Sequence, residues 1–319
     1  MKTKAMKVAT IRLITIILGF SLSTFAQEQF SEIREYEDSL ITLASCAVGD
    51  SIIQNRLNCS YQMIPLLIKA LKTENSFEYP FDSLGKVISI LKSPDNKFRI
   101  FSWETLMPDG FHYRHFGAIQ LRSDTLVLIP LIDHSPLLKN PTDSHFCSPT
   151  WFGATYYNIV IKKKWFRKYY FLFGLNWNNM RSNKKVVEAM RIFKKRDSAW
   201  ACFGYPLFFF PDSNKRIKRF IIEYKKDAFA TLNYNADLKR IIYDYLVPLN
   251  PLFEGKREYY VPEGTYDGFV WKWNKWVHIT LALKPNKMVT PPGTGGREPI
   301  KRKKYFNQND VISPKQKTD

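Results

Sequence analysis

The chain has 319 residues and a mass of 37.5 kDa; 45% of it is hydrophobic, 24% is charged, and its formal net charge is +19. This mix excludes a disordered or collagen-like chain, and four Cys are too few for a disulfide-dense scaffold. Only one apolar run, near the N-terminus, approaches membrane-spanning length, which excludes a polytopic membrane protein.

That run opens the chain. Lys2, Lys4, Lys7 and Arg12 precede an apolar core from Leu13 to Phe20, and no acid occurs before Glu28. Thr24 and Ala26 are the small residues a signal peptidase needs before its cut. The pattern predicts a secretory signal over residues 1–26, cleaved after Ala26, because the apolar core is short for a spanning helix. The mature chain is then periplasmic or secreted, with no stable transmembrane segment after cleavage.

Residues 27–85 read as a helical region. Ile33, Tyr36, Leu40, Leu43 and Ala47 recur at spacings of three and four, and Ile53, Leu57, Tyr61, Ile64, Ile68 and Leu71 do the same after Gly49-Asp50. Pro65 should kink or restart the second helix. Cys46 and Cys59 flank the intervening turn and are the first disulfide candidates in an oxidising compartment, with Cys147 and Cys202 left over.

From residue 86 to 283 the period changes to two. Val87–Leu91 and Lys97–Trp103 flank Ser93-Pro94-Asp95-Asn96, whose residues favour a turn. Similar pairs follow: 115–121 with 125–132, 156–161 with 169–175, 219–224 with 229–234, and 268–273 with 276–281. Lys184–Lys195 fits a helix by spacing but sits among strands and is read as one. The expected fold class is α+β, mainly β: an N-terminal helical hairpin followed by an antiparallel β meander, closed as a barrel, a sandwich or a propeller-like array. Residues 284–319, with Pro291-Pro292-Gly293-Thr294-Gly295-Gly296 and Lys301–Lys304, read as a flexible basic tail.

Charge is uneven. Residues 162–226 carry 18 Lys or Arg against 4 Asp or Glu. Lys162, Lys163, Lys164, Arg167 and Lys168 surround Trp165-Phe166, a basic and aromatic run. No helix-turn-helix, RRM or zinc-finger pattern accompanies it, so no nucleic acid is expected. A lysine turn also protects strand edges from aggregation. The run, with its neighbours, marks a basic face for an anionic surface, polysaccharide or protein.

Trp271, Trp273 and Trp276 form the second binding candidate. Alternation places Trp271 and Trp273 on one strand face with Trp276 across the turn, as a platform for sugar rings or an apolar partner, or as an aromatic pair joining the core. Chemistry is less well marked. His112, His115, His134 and His145 lie near Asp109 and Asp133, but no metalloenzyme spacing occurs, so neither metal nor cofactor is indicated. G-x-S-x-G is absent, and Ser89-Ile90-Leu91-Lys92 matches S-x-x-K without its companion motifs. Cys147 with His145 could act as a nucleophile pair only if the loop folds back. Glu104, Asp109, Glu263 and Asp267 are the carboxylates available to a hydrolase, with nothing to select a pair.

The signal ending in Phe25-Ala26-Gln27, the aromatic strands and the Ser93–Lys97 hairpin resemble those of exported, β-rich bacterial proteins. That resemblance is broad and implies no activity and no site residues. The Ser-Pro-Asp turn also resembles those of β-propeller blades, over one hairpin only. The sequence therefore favours an exported, non-enzymatic binding or structural protein with a basic face. The alternative is a secreted hydrolase acting on envelope or extracellular polysaccharide.

Overall fold

A computed structural model describes residues 30–196 and 198–283. The signal segment 1–26 and the basic tail 284–319 lie outside the described residues.

Two helices, α1 (Ser31–Gly49) and α2 (Ile53–Lys72), form the expected hairpin. Ile33, Leu40, Ala44, Ala47, Met63, Leu67, Ala70 and Leu71 make one buried face. Cys46 and Cys59 are disulfide-bonded across the turn, as their spacing suggested. No fresh start occurs at Pro65: the helix runs through it. Pro65 lies on the exposed side, where the carbonyl freed by its missing N–H can be solvated.

Strands occupy the rest, in three sheets. Sheet I is β1 (Ser89–Lys92), β2 (Phe98–Leu106), β3 (Tyr113–Leu121) and β4 (Val127–Ile132), a simple meander. Sheet II is ordered β5-β9-β8-β7-β6, from β5 (Phe146–Cys147), β6 (Thr155–Lys164), β7 (Arg167–Asn176), β8 (Ser182–Lys195) and β9 (Ser198–Phe203). A further strand, β12 (Arg219–Lys225), pairs with the first half of β8. Sheet III is ordered β11-β10-β16-β15-β14-β13, from β10 (Phe208–Phe210), β11 (Lys215–Ile217), β13 (Leu232–Asn235), β14 (Arg240–Pro248), β15 (Tyr260–Lys272) and β16 (Lys275–Ile279).

The layers stack because the central strands are apolar on both faces. On β2, Phe101 and Trp103 face the helices while Phe98 and Ile100 face sheet II. On β7, Tyr170 and Leu172 meet sheet I, and Tyr169, Phe171 and Phe173 meet sheet III. Val186 and Met190 of β8 join the first core, Val187 and Ala189 the second. The order is helices, sheet I, sheet II, sheet III: a layered sandwich. Period-two alternation between two apolar sets produces it.

Two expectations change. Residues 219–224 and 229–234 are not a hairpin: β12 joins sheet II and β13 pairs with β14 in sheet III. Lys226 and Asp227 do turn, but the Lys226 side chain is anchored to sheet II, donating to the Trp177 carbonyl (3.0 Å) and Asn183 Oδ1 (2.8 Å). The pairing is also not wholly antiparallel, since β10 runs parallel to β16. The second disulfide, Cys147–Cys202, links the registered pair of β5 and β9.

Candidate functional site at the hairpin end

Strand direction gathers six turns at one end of the sheet stack. The β1–β2 turn reaches β7, where Lys168 Nζ and Tyr170 Oη donate to Asp95 Oδ2 (2.5 and 3.0 Å). The chain after β3 joins it, with the Arg122 N–H donating to the Lys97 carbonyl. The β6–β7 and β8–β9 turns follow from the pairings Lys164↔Arg167 and Lys195↔Ser198. In sheet III, the pairings Asn235↔Arg240 and Lys272↔Lys275 place two more turns there. Sheets II and III are level, because Phe171 touches both Trp271 and Trp276 at 5.6 Å.

These six segments, 94–97, 122–126, 162–168, 191–197, 236–240 and 272–275, carry fifteen Lys or Arg against four acids. Lys97, Arg122, Arg167, Lys168, Arg191 and Lys194 contribute to the walls of a groove of about 650 Å³ between sheets I and II. Burial alone would raise the Asp95 pKa, but hydrogen bonds from Lys168 and Tyr170 outweigh it and hold the carboxylate below its ordinary range. Among the described residues no carboxylate pairs with Lys163, Arg167, Lys194 or Lys272.

The basic residues named from sequence separate into two kinds. Lys163 and Arg167 are exposed and Lys164 is half-buried beside them. Lys168 is tied to Asp95, and Lys162 lies over the rings of Tyr234 (5.0 Å) and Trp276 (5.3 Å). Nor is 162–226 one face. Residues 162–168 and 191–196 meet at the hairpin end, whereas Arg219 is fully buried and Lys226 is tied down at the far end.

The tryptophan platform does not form. Trp276 is 0% exposed and packs edge-on against Phe171 and Trp271. Trp271 is half-buried in the same cluster. Trp273 is 77% exposed but is not on the strand: it occupies the two-residue turn, with φ 50°, and Asn274 follows with φ 60°. Positive φ at both central residues suits the twist of a tight hairpin, and it moves Trp273 off the face of Trp271.

The histidines do not converge. His112 Nδ1 is 2.7 Å from Asp109 Oδ2, in an exposed turn. The backbone N–H of His134 and Nδ1 of His145 meet the carbonyls of Trp151 (2.9 Å) and Gly204 (2.9 Å) respectively. His115 and Asp133 form a buried dyad, with Nδ1 3.2 Å from Oδ2. Asp133 also accepts N–H bonds from His115, Ser135 and Gly153, while His115 Nε2 accepts the Trp177 N–H (3.2 Å). With both ring nitrogens engaged, His115 has no free nitrogen to activate a nucleophile. Burial would raise the Asp133 pKa, but the His115 and Ser135 contacts reverse that and hold it at about 2. His145, Cys147 and Cys202 cluster closely, but both sulfurs are in the disulfide, so neither is a thiolate ligand or nucleophile.

The four carboxylates are also apart. Glu104 and Asp109 belong to sheet I and its β2–β3 turn; Glu263 and Asp267 are on β15 in sheet III, with sheet II between. Glu104 accepts from Thr155 Oγ1 (2.5 Å), and Asp267 accepts the Leu281 N–H (3.0 Å).

Sequence reasoning missed a buried polar core. Glu188 and Arg219 are both fully buried and paired (Nε–Oε2 2.6 Å); Tyr156 Oη donates to Glu188 Oε1 (2.7 Å), and Trp151 Nε1 donates to Tyr156 Oη (2.7 Å). Arg219 Nη1 donates to the Pro141 carbonyl. A Glu inside the run Val186-Val187-Glu188-Ala189-Met190 was the available signal. Closed to solvent and held by the Glu188–Arg219 ion pair, this network is a structural tie, although Arg219 Nη2 has no hydrogen-bond partner of its own.

No family model matches the chain, and no curated protein or solved structure matches it. Among the described residues, no helix is long and apolar enough to cross a membrane.

Proposed function

We propose that this is an exported, non-enzymatic binding protein whose hairpin end docks on an anionic surface or partner. The observation that supports this reading most strongly is the convergence of fifteen cations from six turns that are far apart in sequence. Such a surface attracts polyanions and hastens their encounter. Two disulfides accord with an oxidising compartment. The test is retention on immobilised dextran sulfate. The wild type should bind with a steep dependence on salt, because exposed charges are screened within about 8 Å at physiological ionic strength. Reversing Lys163, Lys164 and Arg167 to Glu should abolish retention; binding indifferent to salt or to these reversals contradicts the proposal. Export is tested separately: the secreted or periplasmic protein should begin at Gln27, and soluble cytoplasmic protein retaining Met1 would overturn it.

A further inference from the structure

We infer that the anionic surface is a lipid bilayer, and that Trp165, Phe166 and Trp273 seat themselves among its headgroups. This rests on the reading of the hairpin end as the binding surface and names what it binds. Trp165 is 78% exposed, Phe166 104% and Trp273 77%, on two hairpins from adjacent sheets. Leu238, also exposed, lies in a third turn at the same end. The rings are the outermost parts of their hairpins. Cations stand just behind them: Lys163, Lys164 and Arg167 around the first tip, Lys272 and Lys275 around the second.

That order matches an anionic leaflet approached from water. Aromatic rings settle at the level of the headgroups, and Lys and Arg a step behind meet the phosphates. A sulfated polysaccharide or an acidic protein face would satisfy the cations but leave the rings in water. A stacked sugar needs a flat aromatic platform, which the burial of Trp276 removes.

Backbone geometry adds an independent argument. Trp165 has φ 55° and Trp273 φ 50°. Gly or Asn is favoured there, and a bulky side chain is strained. Neither ring is buried by the fold, so the fold gains little from placing an indole at a costly position. The rings are explained by contact with something outside the chain.

The experiment is flotation with vesicles of phosphatidylglycerol and phosphatidylcholine, beside vesicles of phosphatidylcholine alone and soluble dextran sulfate. The wild type should float with the anionic vesicles only, and should also bind dextran sulfate. The triple variant Trp165→Ser, Phe166→Ser, Trp273→Ser should lose roughly a hundredfold in partitioning while its binding to dextran sulfate changes by less than about twofold. Lipids brominated on their acyl chains should quench tryptophan emission of the wild type, and should quench the Trp165→Phe, Trp273→Phe variant less. If the wild type binds dextran sulfate but not vesicles, or if the serine variant floats as the wild type does, the lipid proposal fails and the basic-surface reading stands. If the wild type binds neither, both fail.

Discussion

The two ends of the sheet stack are built on opposite principles. The segments leaving the sheets at the far end, 107–112, 133–145, 177–181, 211–214, 226–231 and 249–259, hold five Lys or Arg and seven acids. Several of their polar side chains bond one another, the sheets or the backbone, while Lys139 and Lys256 stay exposed. Asp133 ties His115, Ser135 and Gly153 together, Lys226 closes over the Tyr113 and Trp177 rings, and Ser182 and Asn178 both donate to Glu223. The hairpin end holds fifteen cations against four acids, and Trp165 and Trp273 sit there at positive φ; the far end also exposes Phe229, Leu137 and Leu252, so surplus charge is what separates the two ends. One end is arranged to hold the layers in place. At the other, Lys162, Lys168, Arg122 and Arg240 are tied into the fold, but Lys163, Arg167, Lys194 and Lys272 face outward. This surplus of exposed charge is the basis of the proposal that the hairpin end binds a partner.

The comparison can be broken most forcefully at the structural core. Glu188→Ala leaves Arg219 buried without its carboxylate, and should cost about 3–5 kcal/mol in chemical denaturation. Replacing Cys147 and Cys202 together by Ser opens a loop of 55 residues and should cost about 4 kcal/mol, against about 3 kcal/mol for the 13-residue loop of Cys46 and Cys59.

Glycine substitutions should have opposite signs at the two ends. At the far end, a Cβ on Gly153 would lie 2.4 Å from the Asp133 carboxylate. Gly153→Ala should therefore lower stability by about 2 kcal/mol or more, by displacing a satisfied buried charge. At the hairpin end, Trp273→Gly relieves a positive φ and should leave the melting temperature unchanged or raise stability by up to about 1 kcal/mol. A Trp273→Gly variant that melts well below the wild type would show that the tip belongs to the fold.

Acid should weaken the far end. Asp133 titrates at about 2 in the folded protein against about 3.9 when unfolded. Its folded pKa is depressed, so its stabilising effect is complete above pH 4 and is lost as pH falls through about 2. The stability–pH curve should lose about 2 kcal/mol across that window from this group, and Asp133→Asn should flatten it there.

Much of this was legible in the residues. Spacings of three and four gave the helical hairpin, and the closeness of Cys46 and Cys59 across its turn gave their link; alternation gave many of the strands, while Lys184–Lys195, helical by spacing, was read as a strand from its neighbours. What escaped depends on long-range pairing. Nothing local says that Arg219–Lys225 prefers β8 to its sequence neighbour, or that Glu188 meets a cation 31 residues away. The basic run 162–168 was visible, but its union with 191–196 and 272–275 exists only once three sheets are stacked. Trp273 was misplaced by parity: a turn of two residues ends the alternation one position earlier than the aromatic pattern suggests.

The claim that the hairpin end is the docking surface is tested most directly by lysine acetylation of the protein, free and bound to anionic vesicles. Lys163, Lys194, Lys195 and Lys272, all exposed at that end, should be shielded on binding, while Lys139 and Lys256, exposed at the far end, should react as before. Protection of Lys139 and Lys256 with the hairpin lysines still reactive would place the contact on the wrong end and contradict the account.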